Sequence, residues 1–147
     1  MTDDMVARIR AFNRYYTVWL DVMSKGYLET ELTWPEARVI YEIYLYPGIS
    51  ATDLCAHLNM DKSYVSRILG KYENRGLLTR RSVLGHRGLK AIWLTEKGRS
   101  EAEKIDQNGN TQIVEKLERM DDRTGQKLCE AMTFIEKTLR QYDRKEV

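Results

Sequence analysis

Between Asp61 and Gly76 the chain places Lys62, Ser63, Tyr64, Ser66, Arg67 and Lys71 around an apolar seam of Val65, Ile68, Leu69 and Tyr72. Seam steps of three and four predict a helix. Asp61 supplies its N-cap, and Gly76, after Asn74-Arg75, a left-handed stop. The outer face consists of cationic and hydrogen-bonding groups, the kind that meet phosphates and base edges. Arg67 and Lys62 are the leading candidates, because an arginine can grip guanine through two parallel hydrogen bonds. Ser63, Tyr64 and Ser66 can bond phosphates or bases, although a serine at a helix start also serves as a local cap. Lys71, Arg75, Arg80, Arg81 and Lys90 suit phosphates, where they set affinity rather than sequence.

Charge is distributed unevenly. Residues 61–90 hold eight lysines and arginines against two acids, a net of +6, while the rest of the chain nets −4. A basic middle on an acidic frame points to a polyanionic partner, nucleic acid first; a solvated charged face is the plainer alternative. With 42% apolar residues over 147 positions the chain can build a core, as one compact domain or a small dimeric subunit. No nucleophile–base pair, phosphate loop or metal-ligand cluster is present, so neither an enzyme nor a metal or cofactor is expected. Cys55 and Cys129 have no metal or disulfide spacing and read as reduced thiols. The acidic start Met1-Thr2-Asp3-Asp4-Met5 has no apolar signal core. No apolar run approaches the roughly 18 residues of a membrane span, so a cytoplasmic protein without membrane contact is expected.

The elements that hold the 61–74 helix follow in order. Met5, Ile9, Phe12, Tyr16, Trp19, Leu20, Met23 and Tyr27 recur at helical steps and predict one leading helix from Asp3 to about Glu29, capped by Asp3 or Asp4. It is too long for the small domain that follows, so part of it should pack on another chain or another long helix. Thr33 and Glu36 form a capping box around Pro35, and Pro47-Gly48 stops the second helix. Ser50 opens a short helix that buries Leu54, Leu58 and Cys55. Leu58-Asn59-Met60 then turns into the helix at Asp61, giving a helix-turn-helix. Leu77–Ser82 and Leu89–Leu94 read as strands of a hairpin, or wing, with Val83–Gly88 at its tip. Thr95 caps a helix to about Met120, with a kink or weak point expected at Asn108-Gly109-Asn110. Asp121-Asp122 caps the last helix, whose narrow seam of Leu128, Met132, Ile135, Leu139 and Tyr142 suits pairing between chains.

The fold class expected is mainly α with a small β-hairpin: a winged helix-turn-helix plus long N- and C-terminal dimerisation helices. Leu32-Thr33, the run Asp61-Lys62-Ser63-Tyr64-Val65-Ser66-Arg67, Arg75-Gly76-Leu77-Leu78 and Leu94-Thr95-Glu96-Lys97-Gly98 occur in this order. In that order and spacing they resemble the MarR family of winged-helix transcription regulators over essentially the whole chain. Each motif alone is weak; the ordered set is fairly specific. The resemblance implies a single subunit of residues 1–147, with a DNA-binding lobe over 33–98 and dimerisation regions over 1–30 and 99–147. It implies a homodimeric repressor on a short palindrome of double-stranded DNA, the 61–74 helix in the major groove and the wing along the minor groove. It also implies a small aromatic or phenolic effector. In that architecture a cleft lined by rings such as Tyr15, Trp19, Tyr41 and Tyr44 is the candidate ligand site, against the plainer reading of these rings as core.

The wing tip departs from the family pattern. Family members carry Asp-x-Arg there, the arginine entering the minor groove and the aspartate bracing the wing; the aligned residues here are His86-Arg87-Gly88. Either Arg87 substitutes, or the wing contributes only diffuse charge. The reading that competes with DNA binding is a winged helix used as a protein-interaction module, and the +6 segment weighs against it.

Overall fold

The computed structural model describes residues 1–24 and 26–143. Along the chain run α1 (Asp3–Trp19), α2 (Trp34–Leu45), α3 (Ala51–Leu58), α4 (Lys62–Asn74), β1 (Leu78–Ser82), β2 (Lys90–Leu94), α5 (Glu96–Lys116) and α6 (Asp122–Tyr142). This is the mainly helical winged helix-turn-helix expected. Two compact units divide the chain, residues 1–110 and residues from 111 onward.

The first unit is built on one core. Val39, Ile40 and Ile43 of α2 meet Leu54 of α3, the α4 seam of Val65, Ile68, Leu69 and Tyr72, Leu78 and Ile92 of the hairpin, and Ala102 and Ile105 of α5. The capping box at α2 is formed: the Thr33 N–H donates to Glu36 Oε1 at 3.0 Å and the Glu36 N–H to Thr33 Oγ1 at 3.4 Å. Ser50 caps α3 by accepting the Asp53 N–H at 3.1 Å. Asn59, left-handed at φ 49°, turns the chain between α3 and α4. The strands pair antiparallel, from Leu78 opposite Leu94 to Ser82 opposite Lys90. Ile49, after α2, bridges to Ile92 and ties the hairpin to the helices.

The leading helix is shorter than its periodicity suggests. It ends at Trp19, and Asp21 then adopts φ 58°, which an α-helix of L-residues cannot contain. A short 3₁₀ turn at Tyr27–Glu29 follows, with Leu28 at φ 51° and buried. Placing Leu28 in the core overrides the helical spacing of Met23 and Tyr27. The cap is Thr2 rather than Asp3 or Asp4: its hydroxyl accepts the Met5 N–H at 3.2 Å. Asp3 and Asp4 occupy the first turn, where negative charge suits the helix dipole.

Helix α5 runs without a break in its helical backbone through Asn108-Gly109-Asn110, and it ends at Lys116 rather than Met120. Asn108 donates from its side-chain amide to the Leu28 carbonyl at 2.7 Å. A Cβ on Gly109 would lie 3.7 Å from Leu28 Cδ1. These poor helix formers dock the Leu28 turn rather than break the helix. In the second unit Asp121 caps α6 by accepting the Thr124 N–H at 2.8 Å. Neither α1 nor α6 buries any residue within the chain. Met5, Ile9 and Phe12 on α1, and Met132, Ile135 and Leu139 on α6, are exposed.

Candidate nucleic-acid interface

Helix α4 begins on a tight cap. Asp61 accepts the N–H groups of Ser63 at 3.1 Å and Tyr64 at 3.3 Å, and the Ser63 hydroxyl also donates to it. The Ser63 bond, more than the others, holds the Asp61 carboxyl below its usual range. Val65, Ile68, Leu69 and Tyr72 are buried, and Lys62, Ser63, Tyr64, Ser66 and Arg67 are all exposed. The structure therefore brings the five expected groups onto one outer surface. The Arg67 guanidinium sits 5.5 Å from the Tyr64 ring centroid, a cation–π contact that narrows its freedom. The Ser63 hydroxyl proton, by contrast, is committed to the cap.

Internal carboxylates fix the helix in place. Lys71 donates to Glu36 Oε2 at 2.7 Å, while the other oxygen of Glu36 serves the capping box of α2. Burial alone would raise the Glu36 carboxyl, but the bonds from Lys71 and the Thr33 N–H outweigh it and hold it at about 2. The Tyr72 hydroxyl is buried with no partner at hydrogen-bonding geometry among the described residues. Burial first, and the nearby Glu36 carboxylate acting through space, push its ionisation up. At the other end Glu73 takes two bonds from Arg80, both 3.1 Å, joining α4 to β1. That pairing depresses Glu73 and raises Arg80. Glu36 and Glu73 escaped the sequence reading as site residues. Only the capping-box spacing hinted at Glu36, and nothing local announces the Glu73–Arg80 pair.

The stop of α4 is locked to the start of α5. Gly76, at φ 78°, donates to the Glu73 carbonyl and Leu77 to that of Tyr72, a Schellman cap. Thr95 Oγ1 donates to the Gly76 carbonyl at 2.6 Å and accepts the Gly98 N–H at 3.1 Å. Lys97 donates to the Arg75 carbonyl at 3.2 Å. The motifs Arg75-Gly76-Leu77-Leu78 and Leu94-Thr95-Glu96-Lys97-Gly98 are thus two halves of one joint. Arg75 itself is exposed beside the Tyr72 ring.

On the wing, Arg81, His86, Arg87 and Lys90 are exposed. From Asn74 to Thr95 the chain has no acidic residue. Arg80 is half-buried and paired; Lys71 is paired but still 44% exposed at its side chain.

The ring residues divide. Tyr41 and Tyr44 pack together with centroids 5.8 Å apart, and the Tyr41 hydroxyl donates to Asp106 of α5 at 2.7 Å. That bond, with burial, lifts the Tyr41 phenol to about 12. Trp19 is half-buried and stacks on Tyr16, while Tyr15 is largely exposed. A cavity of about 360 Å³ is lined by Glu31, Leu32, Tyr72, Arg75, Leu77, Lys97 and Glu101. Another of about 490 Å³ lies along Glu115–Asp121 with Thr124. Neither includes the four candidate rings. His57, at the end of α3, faces the buried Glu42 at 3.0 Å. Cys55 is half-buried rather than buried, packed on the edge of the core, and Cys129 is exposed. Among the described residues no three His, Cys, Asp or Glu side chains gather as metal ligands, and no helix is long and apolar enough to cross a membrane.

Residues 30–88 match the sequence model of the MarR family. A search of curated proteins finds no match. Among solved structures, a MarR family transcription regulator superposes with a TM-score of 0.80 at 21% identity, over 99% of this chain and 95% of that one. FabT of Streptococcus pneumoniae, solved in complex with DNA, gives 0.74 at 16% identity over 95% and 97%. The PcaV transcriptional regulator of Streptomyces coelicolor, solved with its natural ligand, gives 0.64 at 18% identity over 99% and 95%. Residues 30–88 therefore match the MarR family model, and the chain as a whole shares the winged-helix fold of these solved regulators.

Proposed function

We propose that this chain is a sequence-specific DNA-binding transcription regulator, acting in the cytoplasm as a homodimeric repressor whose affinity responds to a small aromatic effector. The observation that carries DNA binding is the division of α4 into a buried seam and an exposed face of Lys62, Ser63, Tyr64, Ser66 and Arg67. The acid-free hairpin beside it extends the positive field. Lys62, Tyr64, Ser66 and Arg67 would read base edges and adjacent phosphates; Ser63 chiefly holds the cap. Arg75, Arg81, Arg87 and Lys90 would neutralise phosphates. Lys71 and Arg80, already paired with Glu36 and Glu73, would add less. FabT, which shares the fold, was solved on DNA.

Dimerisation through 1–30 and 99–147, around a DNA-binding lobe of 33–98, is supported by α1 and α6. Both carry apolar stripes that the chain itself leaves uncovered. Two α4 helices related by a twofold would meet half-sites about 34 Å apart. For the effector, the Tyr41–Tyr44 pair with Asp106 offers rings and a displaceable hydrogen bond, with Tyr15 and Trp19 as further candidate walls. PcaV was solved with a ligand. A ligand favouring one spacing of the two lobes would shift the population away from DNA.

Selection of genomic fragments by the wild-type chain and by Arg67→Ala tests the reading. The wild type should enrich a palindrome. Arg67→Ala should lose roughly 1–3 kcal/mol of specific affinity and relax one position. Equal operator binding by both would rule out the major-groove assignment, and no DNA affinity at low salt would favour the protein-interaction alternative. Titration with salicylate-type acids should change tryptophan fluorescence and weaken DNA binding; no change in either would remove the effector from the scheme.

A further inference from the structure

The tip of the wing carries a feature that charge alone does not explain. Beyond the Ser82–Lys90 pair, Val83 donates to the Leu89 carbonyl at 3.0 Å, His86 to that of Val83 at 3.1 Å, and Leu89 to that of His86 at 3.3 Å. These bonds close residues 83–89 into a compact tip. Gly85 and Gly88 have φ of 81° and 76°, and a Cβ on either would meet nothing within 4 Å. The tip is therefore thin on both glycine flanks. At its end Leu84 is 99% exposed, while the adjoining Val83 is half-buried.

Resting on the DNA-binding reading above, we propose that Leu84 is an apolar minor-groove contact, seated against the sugar walls of the DNA flanking the site read by α4. A partner for this tip must offer negative charge to Arg81, His86, Arg87 and Lys90, a narrow slot for the glycine-thinned turn, and apolar surface for the leucine. The minor groove has all three: phosphate rims, a width of about 6 Å, and apolar surface, leucine being among the residues that proteins wedge in from this groove between base steps. The two Arg80–Glu73 bonds tie the wing to the helix that would fix its register. His86-Arg87-Gly88 then leaves shape and apolar contact, rather than an arginine at the position of Gly88, to engage the groove.

The test compares the full-length wild type with Leu84→Ser and Arg87→Ala on the selected operator, with Kd measured across a salt series and Tm for each variant. Leu84→Ser should keep the wild-type Tm, since the side chain touches solvent. Its Kd should rise about five- to tenfold, as expected for losing a roughly half-buried leucine, with an unchanged salt slope. Arg87→Ala should instead lower the slope by about 1. Leu84→Ser binding as tightly as a DNA-competent wild type would overturn the proposal. So would a loss that lowers the salt slope, because Leu84 would then serve only to position cations. A wild type without operator affinity is a different outcome, the failure of the DNA-binding reading itself.

Discussion

Gly98→Ala should destabilise the first unit by about 2–4 kcal/mol, the cost of forcing backbone apart in a packed joint. A Cβ at residue 98 would stand 1.9 Å from the Leu77 carbonyl oxygen and 2.9 Å from its carbon. Both atoms are backbone, so no rotamer change can relieve the contact. The same oxygen accepts the Thr95 N–H at 2.9 Å, and Thr95 and Lys97 hold the carbonyls of Gly76 and Arg75. Shifting α5 outward to admit a methyl group therefore strains the cap of α4 as well as the helix start. Gly109→Ala is the control. Its Cβ would find only Leu28 Cδ1 at 3.7 Å, an ordinary contact. Helix propensity predicts it to be neutral or to gain up to about 1 kcal/mol. Urea unfolding followed by far-UV circular dichroism reads both. Matching midpoints for Gly98→Ala and wild type would mean that the Leu77 carbonyl can move freely.

What could be read from the sequence is what short spacing determines. Asp61, Ser50 and the Thr33–Glu36 box are contacts across two or three residues, so the caps stand where they were expected. The period of the α4 seam assigned its inner and outer faces without reference to the rest of the chain. The end of α1 was not legible, because Asp21 and Leu28 take left-handed conformations to serve a core built from residues further along. The role of Asn108 was hidden for the same reason: its partner, the Leu28 carbonyl, lies 80 residues earlier. In the candidate site, the residue types on the outer face were legible. Their prior commitments were not. The Ser63 hydroxyl is engaged by Asp61, Lys71 by Glu36 across 35 positions, and Arg80 by Glu73. Those pairings exist only once α2, α4 and β1 are packed.

Glu36→Gln should separate the fold-holding part of this surface from the DNA-reading part. Glutamine can keep the capping box, because its amide oxygen still accepts the Thr33 N–H. It loses both the charge and the acceptor that Lys71 meets, because the amide NH2 standing in place of Oε2 can only donate. The Glu36 carboxyl is depressed from 4.5 to about 2 in the fold. A depressed carboxyl contributes stability that is complete above its unfolded value and lost as pH falls toward its folded one. The advantage of wild type over Glu36→Gln should thus be about 1–2 kcal/mol at neutral pH, discounted for the half-exposed lysine. It should shrink as pH drops from 4.5 toward 2. Urea midpoints compared from neutral pH to about pH 3 check this, and a pH-independent difference would assign the loss to packing instead. The same variant frees the Lys71 ammonium. If that group then reaches phosphate, the salt slope of DNA binding should steepen by about 1 even as the fold weakens. Stability and DNA charge contact would then move in opposite directions, as expected if Glu36 holds α4 in register at the expense of one phosphate contact.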